Sequence, residues 1–139
     1  MCAKKISFSN DEYLDFDLVG ISSREKEFRM AWLLNRELDW QLELKAPIEL
    51  TNGNQKSSHD MYEYTSEINH FVIRLLTNRS VNGVLLPEFA HMEFLLKIQG
   101  ADEQQLQEWV KRIRGINDVL GVFSLSNESI KNIEHLIFD

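Results

Sequence analysis

The sequence predicts an α+β fold in which helices pack on one face of an antiparallel or mixed sheet. Short segments with alternating apolar residues recur along the chain, as expected for strands with one buried face. Other segments carry apolar residues at the i, i+3, i+4 spacing of an amphipathic helix. The order is β-α-β, several antiparallel strands, then β-α-β-α, which is typical of a helix layer on a sheet.

Length and composition bound the class of protein. The 139 residues fit one domain spanning residues 1–139, with the polar residues 1–14 as a loose N-terminal arm. The hydrophobic fraction of 43% and the charged fraction of 27% are ordinary globular values. A chain of this size can therefore bury a core without covalent cross-links.

Charge and cysteine content restrict the partners and the compartment. The formal net charge is -7, which argues against nucleic acid, because nucleic-acid-binding proteins usually present a basic face. The single cysteine, Cys2, excludes an internal disulfide, and no residue spacing is typical of a metal or cofactor site. No signal peptide or membrane-spanning apolar run is evident, so we expect a cytoplasmic protein that needs no membrane.

The first elements follow from apolar periodicity. Phe16–Ile21 alternates and predicts a strand. Ser22 or Ser23 is expected to cap the next helix, with Glu25 completing a capping box. Its apolar face is predicted to carry Phe28, Ala31, Trp32, Asn35 and Leu38, and Leu33 and Leu34 are expected to widen it.

The middle of the chain predicts strands separated by polar turns. Trp40–Lys45 alternates as a half-buried strand that we expect to end at Pro47. The polar run Thr51–Ser58 predicts a loop. Met61–Ser66 and Ile68–Leu76 are predicted strands. A turn should follow over residues 78–83, where Asn and Gly favour a reversal of the chain.

The last third is the best patterned. Met92–Gln99 predicts a strand whose apolar face carries Met92, Phe94, Leu96 and Ile98. Asp102 should cap a helix that ends at Gly115. Its apolar stripe is Leu106, Trp109, Val110 and Ile113. Val119–Leu125 predicts the next strand, so residues 92–125 form a βαβ unit like half of a ferredoxin-like fold or an ACT-type regulatory module.

A final helix is predicted after a cap at Ser126 or Asn127. Its apolar face should carry Ile130, Ile133, Leu136 and Ile137. We expect this stripe to pack on the sheet and to close the domain.

Leu86–Phe94, the signature segment, combines a proline and two carboxylates with bulky apolar residues. It resembles the motif of the IPExxxVDY family, small uncharacterised proteins known mainly from Bacteroidetes-type bacteria. Leu86-Pro87-Glu88 stands for Ile-Pro-Glu, and Met92-Glu93-Phe94 stands for Val-Asp-Tyr. Residues 16–23, 31–35 and 78–86 also look like the family. The resemblance implies membership of that family and names no activity.

The signature segment supplies the candidate interface or ligand residues, which are Pro87, Glu88, Phe89, His91, Glu93 and Phe94. Two carboxylates can do acid–base work when their environments separate their pKa values. The structural alternative is that Glu88 binds nearby backbone N–H groups and that Glu93 faces solvent. His91 and Glu93 share a strand face, which gives a weak metal pattern. Phe89 lies on no apolar stripe and would be a contact residue if exposed.

No catalytic or phosphate-binding motif stands beside these residues. We therefore expect a domain without catalytic activity that binds a partner protein or its own copy. Small-molecule sensing of the ACT type is the alternative, on the analogy of the predicted βαβ unit. An enzyme that uses Glu88, Glu93 or His91 is the third hypothesis.

Overall fold

A computed structural model describes residues 15–126 and 129–137, and in them two helices cover one face of a six-stranded sheet. The predicted arm at residues 1–14 and a cap at Asn127 lie outside the described residues. The elements are β1 Asp17–Ser23, α1 Glu27–Leu38, β2 Glu43–Asn52, β3 Gln55–Ser66, β4 Phe71–Thr77, β5 Arg79–Ser80, β6 Gly83–Val84, β7 Phe94–Gln99, α2 Glu103–Arg114 and β8 Val119–Leu125, with 3-10 helices at Pro87–Phe89 and Ile133–Leu136.

The sheet has the strand order β2-β3-β4-β7-β1-β8, and every neighbouring pair is antiparallel. The predicted α+β class is confirmed. β7 and β8 both run antiparallel to β1, which lies between them, so they are parallel to each other. With α2 as the crossover, they form the split βαβ unit of ferredoxin-like folds.

The α2 helix matches its prediction closely. Asp102 Oδ1 accepts a hydrogen bond from the backbone N–H of Gln105 at 2.7 Å, as a helix cap should. Trp109, Val110 and Ile113 are buried against the sheet. Trp109 meets the rings of Trp40 and Phe71 edge-on, each with centroids 5.1 Å apart, which anchors the helix over the sheet.

The α1 helix differs from its prediction in its cap. Ser22 and Ser23 belong to β1, and Lys26 precedes the helix without a capping side chain. Ser23 Oγ instead donates to the Asp118 carbonyl at 2.7 Å and accepts from the N–H of Glu25 at 3.1 Å. The capping box was wrong because the serine hydroxyl serves a tertiary contact.

The buried face of α1 agrees in part with the predicted stripe, but it is shifted away from Phe28 and Trp32 toward Met30. The buried residues are Met30, Ala31, Leu33, Leu34 and Leu38. Phe28 and Trp32 were expected in the core but are 61% and 49% exposed. The helix is apolar over most of its circumference, so periodicity alone cannot choose which stripe meets the sheet. Arg29 and Arg36 stack on Trp32, each with its guanidinium carbon 5.1 Å from the ring centroid.

The β2–β3 hairpin corrects two further predictions. Pro47 does not end the strand, because β2 is an outer strand and Pro47 lies where its register shifts, between Lys45 and Ile48. The polar run 51–58 is not a loop but the end of the hairpin, which turns at Gly53, whose φ of 67° suits glycine. β4 begins only at Phe71, whereas the predicted strand began at Ile68.

The second face of the sheet carries its own apolar cluster, which we call the second-face cluster. It consists of Phe16, Leu18, Leu76, Leu85, Leu86, Met92, Leu95, Ile130 and Leu136. Residues 78–92 and 129–137 cover it. The predicted turn at 78–83 is confirmed as a small hairpin, β5–β6. The predicted final helix was wrong in form, since the described residues hold only a 3-10 turn, but its apolar residues do pack on the sheet.

β7 is therefore buried on both sides. Phe94, Leu96 and Ile98 face the helices, whereas Met92 lies in the second-face cluster and not on their side. Lys97 is buried on the second face, where Nζ donates to the Leu136 carbonyl at 2.6 Å. Successive side chains of β7 point to opposite faces of the sheet, and both faces are buried, as is usual for a central strand covered on both sides.

Candidate functional site

One buried side chain, Asn78, holds the signature segment in place. Its amide nitrogen donates to the carbonyl oxygens of Phe89 and Met92 at 2.8 and 2.9 Å. Its amide oxygen accepts from the N–H of Leu86 at 2.8 Å. Asn78 is fully buried, so these bonds replace water for the Leu86 N–H and the Met92 carbonyl, and they add a second bond to the Phe89 carbonyl, which also accepts from the N–H of Met92.

The backbone of Asn78 ties the two ends of the same segment. Its N–H donates to the Glu93 carbonyl at 2.9 Å, and its carbonyl accepts from the N–H of Leu85 at 2.7 Å. The sequence predicted only a turn at this asparagine. Asparagine is common in turns because its amide can bond to backbone groups, but the sequence does not say which groups it reaches.

Glu88 binds the C-terminal segment. Its carboxylate accepts from the N–H groups of Lys131 at 2.6 Å and Asn132 at 3.0 Å, and from the Asn132 side chain at 3.1 Å. Burial alone would raise the pKa of Glu88, but the hydrogen bonds from Asn132, Lys131 and its own backbone outweigh it and hold the pKa below the ordinary value. Glu88 therefore binds backbone N–H groups, as the structural alternative expects.

Glu93 points to a different part of the molecule. Its Oε1 accepts from the N–H of Ser23 at 3.0 Å, and its Oε2 lies 3.9 Å from Arg79 Nη1. Glu88 thus joins the signature segment to residues 131–132, whereas Glu93 joins it to the end of β1. The two carboxylates have separate partners, and this arrangement gives no support to a shared acid–base site.

The other candidate residues divide between surface and core. Pro87 and His91 are exposed, and Pro87 starts a 3-10 helix at a position that suits proline. Phe89 is half-buried and packs against the second-face cluster. Phe94 is buried among the residues that face the helices, so it cannot act as the interface residue that was expected. The signature segment therefore covers part of the second face with Leu86, Phe89 and Met92, while Pro87 and His91 remain exposed.

Beside the signature segment lies a groove of about 310 Å³, which we call the Pro87 groove. It is lined by Leu50, Thr51, Gln55, Ser57, Asn82, Gly83, Val84, Pro87, Asn132 and His135. None of these residues is an aspartate, glutamate, lysine or arginine. The groove is therefore formed by neutral polar and apolar groups, with one histidine.

A serine and a histidine meet at the wall of this groove. Ser57 Oγ lies 2.9 Å from His59 Nε2, and His59 Nδ1 lies 2.9 Å from the carbonyl oxygen of Thr77. A carbonyl only accepts, so Nδ1 carries the proton and Nε2 accepts from the Ser57 hydroxyl. The sequence analysis missed the pair because it placed Ser57 in a loop. On a strand, residues 57 and 59 share one face.

His59 is fully buried and uncharged at neutral pH. Burial lowers its pKa below 6.5, and the nearby His135 lowers it further, while the hydrogen bond to Thr77 and the charge of Asp60 act in the opposite direction. A neutral imidazole whose Nε2 accepts a hydrogen bond from a hydroxyl can also accept its proton.

The two outer strands of the sheet offer contrasting edges. β8 reads Val-Leu-Gly-Val-Phe-Ser-Leu and contains no charge and no proline. Its Leu120 and Phe123 side chains are 65% and 46% exposed. Arg114 covers one acceptor of this strand by donating to the Val122 carbonyl at 3.0 Å. β2 carries Pro47, a register shift and the exposed charges Glu43, Lys45 and Glu49.

Comparison with known proteins gives no relative, since no protein-family model and no curated protein matches the chain. Neither described helix has the length and apolar character needed to cross a bilayer.

Proposed function

We propose that this chain is a self-associating domain whose copies join edge to edge through β8. The observation that supports this is the uncharged sequence of an outer strand whose Leu120 and Phe123 side chains reach solvent. An outer strand has unpaired backbone N–H and C=O groups on one side, which are a template for another strand. A second strand laid along β8 would satisfy those groups and would cover both apolar side chains.

The opposite edge shows what a protected strand looks like in the same molecule. Proline, an irregular register and exposed charges are the usual means of preventing edge-to-edge pairing, and β2 has all three. β8 shares only the register shift, which lies between its Val119 and Gly121, and it carries neither proline nor charge. Because β2 carries proline and charges and β8 does not, pairing should be confined to one edge and should stop at a dimer.

Charge favours a second copy as the partner. Two copies of a chain with net charge -7 repel each other, so an uncharged strand is a favourable place for them to meet. β8 is such a strand. An antiparallel pair of identical strands about a two-fold axis is self-complementary, and it would join the two sheets into one.

The predicted family and compartment remain part of this proposal. The likeness of Leu86–Phe94 to the IPExxxVDY motif supports a bacterial family of uncharacterised proteins, and the single cysteine is compatible with the reducing cytoplasm. Neither supplies a mechanism. The proposal of self-association rests on β8 alone.

Ligand sensing of the ACT type has less support. Gly100, at the junction of β7 and α2, has a φ of 94°, and a Cβ there would collide with the carbonyl oxygen of His70. Close packing against the β3–β4 turn thus explains this glycine without a ligand.

Sedimentation equilibrium tests the proposal with a matched pair of variants. Leu120→Lys places a charge on the open edge and should convert the dimer to a monomer, because pairing would bury the new charge. Leu44→Lys places the same charge on β2, where Leu44 is 62% exposed, and should leave the dimer intact. A wild-type monomer at every concentration, or equal effects of the two substitutions, would contradict the proposal.

Salt supplies an independent check. Screening weakens the repulsion between two copies of like charge, so the dimer should become tighter as ionic strength rises. An interface made of ion pairs would weaken under the same conditions. Sedimentation of the wild-type protein over a salt series distinguishes the two.

A further inference from the structure

We propose that Ser57 is a nucleophile activated by His59, and that the Pro87 groove binds small neutral carboxylic esters for hydrolysis. Three features carry this assignment: the hydrogen bond between the two side chains, a third group that orients the histidine, and a groove that reaches the serine. It goes beyond the proposed self-association and differs from the expectation of a domain without catalytic activity.

The geometry is that of a nucleophile and its base. The 2.9 Å between Ser57 Oγ and His59 Nε2 lies within the hydrogen-bonding range of roughly 2.6–3.2 Å typical of activated serines. The Thr77 carbonyl fixes the tautomer of His59 through Nδ1, the position that a carboxylate occupies in many serine hydrolases. The imidazole is thus held with its lone pair toward the hydroxyl.

The surroundings of Ser57 leave its hydroxyl room to react. A Cβ at residue 83 would lie 2.9 Å from Ser57 Oγ, so Gly83 keeps that side of the hydroxyl clear. Gln55 and Asn82 line the same groove and bring side-chain amides. Such N–H donors can stabilise the negative charge that develops on an ester oxygen during attack.

The groove selects the substrate class. A volume of about 310 Å³ suits a small molecule. Because the lining contains no aspartate, glutamate, lysine or arginine, a charged ligand would find no partner there, whereas a neutral ester would lose little on leaving water.

The reaction balances with water as the only co-reactant. Ser57 Oγ attacks the carbonyl carbon and forms a new C–O bond while its proton passes to His59 Nε2. The bond from that carbon to the alcohol oxygen breaks, and His59 returns the proton to the departing alcohol. Water then cleaves the acyl-serine in the same way, which releases the carboxylic acid and restores Ser57.

A covalent probe and a test ester examine this directly on the full chain. A fluorophosphonate should label wild-type protein once, and peptide mass spectrometry should place the adduct on Ser57. Hydrolysis of p-nitrophenyl acetate should fall by about 100-fold or more in Ser57→Ala, since positioned base catalysis contributes on the order of 10²–10⁴-fold.

The matched control is Ser58→Ala, which changes the neighbouring exposed serine on the other face of β3. It should retain both the label and the rate. Labelling that is absent or falls on another residue, or a Ser57→Ala variant that hydrolyses the ester as fast as wild type, overturns the assignment. Thermal melts of both variants verify that the fold is intact.

The pH profile supplies a second readout that does not require a substitution at buried His59. Labelling should be constant through neutral pH and fall in acid, below the ordinary histidine range, as the imidazole gains a proton. A rate that increases steadily with hydroxide concentration would instead show an uncatalysed reaction and would reject the role of His59.

This test is independent of self-association. Ser57 lies on β3, and three strands separate β3 from β8 in the sheet. Leu120→Lys should therefore dissociate the dimer and leave the labelling of Ser57 unchanged, so either proposal can fail without the other.

Discussion

The two faces of the sheet are covered in different ways. On one face, two regular helices satisfy their own backbone hydrogen bonds and bring apolar stripes to the core. On the other, the irregular residues 78–92 and 129–137 lie on the second-face cluster and leave backbone groups that need partners. Buried or half-buried polar side chains, chiefly Asn78 and Glu88, provide those partners.

The comparison shows that the two layers depend on different interactions. A helix layer tolerates loss of one polar side chain, because its backbone is already bonded internally. An irregular layer does not, because each polar anchor serves several backbone groups at once. We therefore expect loss of a polar side chain to lower the free energy of unfolding more in the irregular layer than in the helix layer.

The largest effect of a polar substitution should come from Asn78→Ala. It removes the partners of the buried Leu86 N–H and Met92 carbonyl, and it removes one of two hydrogen bonds to the Phe89 carbonyl. At about 1–3 kcal/mol for each group left unpaired, the unfolding free energy should fall by about 3 kcal/mol or more. Asn35→Ala is the matched control on the helix side, where the Asn35 side chain makes only part-buried hydrogen bonds, to Leu42 at 2.8 and 3.2 Å. Urea denaturation should show a smaller loss there, and equal losses would refute the comparison.

Glu88→Gln should have a smaller effect on the same layer. It keeps the shape of the side chain but removes the charge that strengthens its hydrogen bonds to residues 131 and 132, at about 1–2 kcal/mol. Glu49→Gln, on exposed β2, should change stability by less than about 0.5 kcal/mol. Hydrogen exchange should also show earlier opening of residues 129–137 in Glu88→Gln alone.

The free energy of unfolding should decrease in two steps as the pH is lowered. The pKa of His59 is lowered, so the unfolded state binds more protons and stability should decline as pH falls below about 6.5. Glu88, whose pKa is also lowered, should add a second decline below about 4.5. The pKa of Asp60 is raised by burial and by the neighbouring charge of Glu27 in α1. The folded state therefore holds this proton more tightly, so Asp60 adds stability as the pH falls.

Denaturation at pH 7, 5.5 and 4 measures these steps. Glu88→Gln should lose the lower step and retain the upper one. Stability that does not change between pH 7 and 5.5 would show that His59 does not contribute as expected.

The smallest effect should be found on the outer side of α1. Trp32→Ala removes a half-exposed ring and its contacts with two arginines, at about 0.5–1 kcal/mol. Leu34→Ala, two residues along the same helix and fully buried, should cost about 3–5 kcal/mol. A larger loss for Trp32→Ala than for Leu34→Ala would mean that Trp32, and not Leu34, lies in the buried face of the helix.

How far the sequence predicts each region depends on how local its determinants are. α2 was predicted with its cap because Asp102 and its partner Gln105 are three residues apart. The β2 and β3 strands were predicted too short, because Pro47 and the polar run 51–58 are typical strand breakers. Pro47 is accepted because β2 lies at the edge of the sheet. The pairing of Ser57 with His59 became visible only once β3 was known to be a strand.

Local sequence patterns predicted the α+β class, the strands β1, β7 and β8, and the helix α2, because each depends on periodicity or capping within a few neighbouring residues. The tertiary structure decided which stripe of α1 is buried, where β2 lies and what Asn78, Glu88 and Ser57 contact. Those outcomes depend on groups far apart in the chain, such as Glu88 and Asn132, which are 44 residues apart. A local sequence pattern cannot predict such distant partners, since they come into contact only when the chain has folded.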